Sequence, residues 1–104
     1  MGTNTDFKDL VKVQTRTNIK PPKQYRVIYI NDEITTVEFV IESLMVIFQH
    51  DRDSATSLTD KIHTDGSAIV AVLPYEMAEQ RGIEATMLAR NNGFPLQIKL
   101  EPDA

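Results

Sequence analysis

The stretch Tyr25-Arg26-Val27-Ile28-Tyr29-Ile30-Asn31-Asp32-Glu33-Ile34-Thr35-Thr36-Val37-Glu38-Phe39-Val40-Ile41 changes its period halfway along. Tyr25 to Ile30 is rich in β-branched and aromatic residues, the composition of a strand. Asn31-Asp32-Glu33 ends it with residues that favour turns. Thr35-x-x-Glu38 has the spacing of a capping box, in which a hydroxyl and a carboxylate each satisfy a free helix amide. Val37, Val40, Ile41, Leu44 and Phe48 then recur at helical spacing. The stretch therefore predicts a strand, a polar turn and an amphipathic helix.

Downstream, Asp51 to His63 predicts a second helix with Ala55, Leu58 and Ile62 on one face, stopped by Gly66. Ala68 to Leu73 is a second strand, ended by Pro74. A long helix is expected from Tyr75 to Asn92, with Gly93 as its stop and Pro95 barring continuation. Gly82 inside it costs about 1 kcal/mol relative to alanine. Leu96, Ile98 and Leu100 alternate with Gln97 and Lys99, a last strand. The order β-α-α-β-α-β predicts an α+β fold: a two-layer sandwich of a three-stranded antiparallel sheet and three helices.

Upstream the character changes. Residues 1–24 hold five basic and two acidic residues, net +3, while residues 25–104 hold six basic and thirteen acidic, net −7. The first stretch has few large apolar side chains and closes on Pro21-Pro22, which imposes extended backbone and disfavours helix at Lys20. Residues 1–24 are therefore expected to be a flexible basic N-terminal extension and residues 25–104 the folded core domain.

The chain has 104 residues, a one-domain length. Apolar residues make up 41% and charged residues 25%, ordinary for a globular domain. The acidic core disfavours a nucleic-acid partner, which calls for a basic face. Absence of cysteine excludes disulfides and thiolate zinc sites. The longest apolar run, Ala68 to Leu73, falls far short of the ~20 residues of a membrane span. With no apolar segment of signal-peptide type near Met1, a cytoplasmic protein without membrane association is expected. No glycine-rich phosphate loop and no G-x-S-x-G is present.

The residues that could carry chemistry have plain structural readings too. His50-Asp51-x-Asp53 offers an imidazole and two carboxylates, but it equally reads as an acid-favoured helix start. Zinc sites need three or four placed ligands, so no metal site is expected. His63 reads as a surface histidine at a helix C-terminus. Asn31-Asp32-Glu33 is either a polar turn or a cluster of acceptors aimed at a cation. An enzyme working through His63 and Asp32 would lack a nucleophile motif.

Specific resemblance begins in the run Pro21-Pro22-x-x-Tyr25-x-Val27-x-Tyr29-x-Asn31-Asp32-Glu33-x-Thr35-x-x-Glu38-Phe39-Val40. It continues through Ala55-Thr56, His63, Gly66-x-Ala68, Ala78-Glu79 and Pro95-Leu96. Over residues 21–101 the sequence resembles the ClpS family of adaptors for Clp unfoldases. These adaptors recognise bulky apolar N-terminal residues of proteins destined for degradation. The resemblance implies a non-enzymatic, monomeric adaptor without a cofactor. Its partners would be the N-terminal domain of a Clp AAA+ unfoldase of ClpA or ClpC type and substrate proteins bearing N-degrons.

It assigns Asn31, Asp32 and His63 to the substrate's α-amino group. That agrees with their chemistry, since a buried ammonium needs several acceptors and these supply an amide oxygen, a charge and a ring nitrogen. It assigns Glu33, Thr35, Val37, Val40, Thr59, Ile62 and Leu96 to the side-chain pocket. It assigns Glu76, Glu79 and Arg81 to the unfoldase contact. Glu33 stands where the family commonly has aspartate, and Val37 and Thr59 where many members have methionine. Stiffer β-branched side chains replace flexible thioethers, which implies an amine site kept and a specificity pocket altered. The alternative is a ClpS-like domain that modulates the unfoldase without selecting N-degrons.

Overall fold

Strand β1 (Gln24–Ile30) is the centre of a three-stranded antiparallel sheet of order β2-β1-β3, with β2 spanning Ser67–Pro74 and β3 Gln97–Pro102. Three helices complete the order: α1 (Val37–Phe48), α2 (Arg52–Asp65) and α3 (Tyr75–Asn91). The computed structural model describes residues 20–104. Most of the expected extension, residues 1–19, lies outside the described residues. Residues 20–23 carry no regular secondary structure and lead into β1.

Alternation along β1 sets the layers. Val27 and Tyr29 are fully buried, while Arg26 and Ile28 take the opposite face. In β2 the pairing steps from Val27↔Ala71 to Ile28↔Ile69, so Val70 is an extra, bulged residue. Val70 is buried, and its carbonyl accepts a 2.7 Å hydrogen bond from His50 Nε2. Asp51 caps α2, accepting from the Ser54 amide at 2.8 Å. His50 and Asp51 are thus engaged in joining and capping elements, as the plain reading of that segment has it.

Helix α3 buries a stripe of small residues, Ala78, Gly82, Ala85 and Ala89. A Cβ on Gly82 would meet Ile98 Cγ2 at 3.8 Å and Leu100 Cδ2 at 3.9 Å, ordinary contacts. Gly66 ends α2 with φ of +90°, a conformation that favours glycine. No glycine ends α1. Gln49 adopts the left-handed conformation there, with φ of 61°, and its amide donates to the Leu44 carbonyl.

The buried Tyr29 hydroxyl pairs with Ser43 Oγ at 2.9 Å, and Ser43 Oγ donates to the Val40 carbonyl at 2.9 Å. Burial pushes the Tyr29 phenol up to about 12, with the Ser43 hydrogen bond working the other way. This pair ties the first turns of α1, which carry Val40, to the central strand.

Candidate functional site

A cleft of about 530 Å³ opens between the loop after β1, the start of α1 and the end of α2. Asn31, Asp32, Glu33, Thr35, Val37, Val40, Thr59, Ile62 and His63 line it. The Asn31 amide donates to the Gly66 carbonyl at 2.9 Å. That bond fastens the loop to the C-terminus of α2, where His63 occupies the last turn. Segments far apart in sequence thereby place an amide, a carboxylate and an imidazole around one opening.

Asp32 organises the loop. Its Oδ1 accepts from the amides of Ile34 at 2.8 Å and Thr35 at 2.6 Å, and its Oδ2 accepts from the Thr35 hydroxyl at 2.7 Å. Partial burial alone would raise the Asp32 carboxyl. The Thr35 amide and hydroxyl, the Ile34 amide and the charge of Arg90 outweigh it, so the group sits below the usual aspartate value. Asp32 is an anion near neutral pH and suits a cationic ligand group.

The capping arrangement differs from the expected box at Thr35 and Glu38. Thr36 is the N-cap of α1, its hydroxyl oxygen accepting from the Phe39 amide at 3.2 Å. Asp32 competes for the Thr35 hydroxyl with a charge-assisted bond, which leaves the next threonine to cap the helix.

The apolar half of the cleft comes from Val37, Val40, Thr59 and Ile62. Val40 and Ile62 are buried, and Val37 stands half-exposed at the mouth. Thr59 is only 4% exposed, and its hydroxyl donates to the Ala55 carbonyl at 2.8 Å. Its polar atom is already satisfied within α2, so Thr59 adds little polarity to the wall. Glu33 sits exposed at the rim. Leu96, expected in the same wall, is 1% exposed and belongs to the buried cluster. It lies just before β3, and its carbonyl accepts from Arg90 Nη1 at 2.8 Å.

Ile34, Thr36 and Glu38 also line the cleft and were not anticipated. Ile34 is 64% exposed, a large apolar side chain inside a polar turn, and that misfit was the available signal.

The other expected surface lies on α3. Glu76 and Glu79 are exposed and Arg81 half-buried. Glu79 accepts from the Tyr75 hydroxyl at 2.9 Å, and Arg81 donates to Glu84 at 2.9 Å. No described helix is long and apolar enough to cross a membrane.

Comparison with known proteins agrees with this fold. Residues 20–99 match the family model of the ATP-dependent Clp protease adaptor protein ClpS. The chain is 41% identical over 96 residues to the ATP-dependent Clp protease adapter protein ClpS of Salmonella gallinarum, covering 92% of this chain and 91% of that one. It is 36% identical over 104 residues to the Sodalis glossinidius adapter ClpS, covering 97% and 98%. The structure of Agrobacterium tumefaciens ClpS2 bound to L-phenylalaninamide superposes with a TM-score of 0.77 at 37% identity, over 80% of this chain and 100% of that one. Fold and sequence converge, and the chain belongs to the ClpS family of ATP-dependent Clp protease adaptors.

Proposed function

We propose that the cleft binds the free N-terminal residue of substrate proteins, and that the chain delivers them to a Clp AAA+ unfoldase of ClpA or ClpC type. The observation that carries this reading is the union, in one opening, of three polar groups and an apolar wall. An N-terminal residue has the same two halves. Its ammonium takes acceptors from Asn31, Asp32 and His63, and its apolar side chain packs between Val37, Val40, Thr59 and Ile62. L-Phenylalaninamide, the ligand of the ClpS2 neighbour, is such a molecule: a free α-amine beside a large apolar side chain. Burying a Leu or Phe side chain there contributes roughly 1.5–3 kcal/mol.

Fluorescence anisotropy with short peptides differing only in residue one tests this. Peptides beginning with Phe, Tyr, Trp or Leu are expected to bind, and the same peptides N-acetylated are not. Equal binding of free and acetylated forms would sink the reading.

In the same reading, Glu76, Glu79 and Arg81 meet the N-terminal domain of the unfoldase, and residues 1–24 serve the handover. A chain lacking residues 1–20 is expected to bind peptide normally. With unfoldase and protease supplied, it should support only slow degradation; an unchanged rate would count against a role in handover.

A further inference from the structure

Asp32 has less freedom to bind a ligand than its position suggests. A carboxylate offers about four acceptor positions, two on each oxygen. Oδ1 already accepts two loop amides, those of Ile34 and Thr35. Oδ2 accepts one hydroxyl, that of Thr35. One acceptor position remains, on Oδ2, and its direction depends on the hydroxyl that occupies the other. Thr35 is itself half-buried and lines the cleft beside Asp32.

We propose that Thr35 is a positioning residue for substrate capture: its hydroxyl orients the Asp32 carboxylate so that the last acceptor position on Oδ2 meets the ligand's ammonium. This rests on the reading of the cleft as an N-terminal amine site. Without the hydroxyl, the amides still hold Oδ1, but Oδ2 loses its partner within the chain. The carboxylate can then turn about its last torsion, and water takes the vacated position. The charge of Asp32 survives while its aim is lost. A role for Thr35 as a mere apolar wall residue predicts otherwise, because valine has nearly the same shape and supplies two methyl groups.

The titratable and charged groups around Asp32 are Glu33 and Glu38, which share the cleft, His63 from α2 and Arg90 from α3. None of them is altered by substitution at Thr35, so a change in Asp32 reports the hydroxyl.

The experiment compares Thr35→Val and Thr35→Ser in the full chain. Binding of a Phe-initiated peptide is read by anisotropy, and the Asp32 carboxyl is titrated by carbon-13 NMR. Thr35→Val is expected to weaken binding about tenfold, the scale of one hydrogen bond to a charged group, and Thr35→Ser to restore it. The Asp32 carboxyl is expected to titrate at higher pH in Thr35→Val than in the parent or in Thr35→Ser. Parent-like binding by a folded Thr35→Val protein overturns the inference. So does a Thr35→Ser protein that binds as poorly as Thr35→Val, since a lost methyl would then explain both. If the parent protein binds free and acetylated peptides alike, the reading of the cleft fails and this inference with it. If that discrimination holds and Thr35→Val changes nothing, the inference alone fails.

Discussion

Two concavities of the molecule differ in a way that bears on recognition. The cleft between the Asn31–Thr36 loop and α2 joins apolar walls to a carboxylate, an amide and an imidazole. The shelf between α3 and β3, about 250 Å³, is lined by Gly82, Ile83, Thr86, Met87, Ile98 and Leu100, with Glu79 at its edge. Both offer apolar surface. In the cleft, hydrogen bonds fix the loop: the Asp32 carboxylate is held by three donors and the Asn31 backbone by Gly66. On α3 near the shelf, Glu79 pairs with Tyr75 and Arg81 with Glu84, both within the helix. Apolar area gives affinity without orientation; convergent acceptors on a braced loop give a ligand its direction.

The strongest test removes that direction. His63→Ala should weaken binding of a Phe-initiated peptide by about 1.5–3 kcal/mol, the scale of one hydrogen bond to a charged group. Because His63 is exposed, its melting temperature should hardly move. Asp32→Ala should lose binding comparably and also lower the melting temperature, because three loop hydrogen bonds go with it. A folded, tight-binding protein in either case would erase the distinction between cleft and shelf.

Asp32 also predicts a pH dependence. Its folded-state value lies below its unfolded one, so its contribution to stability is present above the unfolded value of about 3.9 and is lost as pH falls through the folded value. Thermal melts below about pH 4 should show the loss, and Asp32→Ala should reduce it. Identical acid sensitivity in parent and variant would count against Asp32 as the source.

A smaller effect tests the apolar half of the cleft. Val37→Met narrows the mouth and should sharpen rejection of peptides beginning with Ile or Val. Thr59→Met adds apolar contact and should strengthen Leu. Each change should be a few-fold, since one buried methylene contributes about 0.8 kcal/mol. Anisotropy ratios that stay fixed across residue one would remove positions 37 and 59 from the pocket wall.

The smallest effect on binding is expected on α3. Gly82→Ala should stabilise the fold by up to about 1 kcal/mol, because the added Cβ meets only ordinary contacts and the helix gains alanine's propensity. Peptide affinity should not change. A lower melting temperature would mean that α3 and β3 pack more tightly than the contacts at Gly82 allow.

What the sequence disclosed follows the same divide. The strands and helices were legible because their signals are local: alternation in β1, the apolar period of α1, and glycine at positions 66 and 93. The end of α1 was not, because Gln49 occupies a left-handed position that glycine normally marks. Two adjacent threonines offered a cap, and a side chain three residues upstream decided between them, taking Thr35 and leaving Thr36. Only the resemblance assigned Asn31-Asp32-Glu33 toward an amine; residue pattern alone left the run either a polar turn or a cluster of acceptors. An aspartate whose side chain accepts from amides two and three residues later is a recognised turn device, so the bracing was the more readable of its roles. Leu96 carries no local mark of its role, since a strand-adjacent apolar residue looks the same in sequence whether it packs the core or walls a pocket.

The hydrogen bond from Asn31 to Gly66 has a thermodynamic corollary. Asn31 leaves β1 and Gly66 precedes β2, so the cleft exists only once these distant strands have paired. An unfolded chain therefore has no partial version of it, and a ligand that fits it binds the native state alone. By mass action, occupancy and folding are one coupled equilibrium. A peptide at a hundred times its dissociation constant would add about 2.7 kcal/mol to the unfolding free energy. The melting curve of this domain is thus itself a gauge of its cargo.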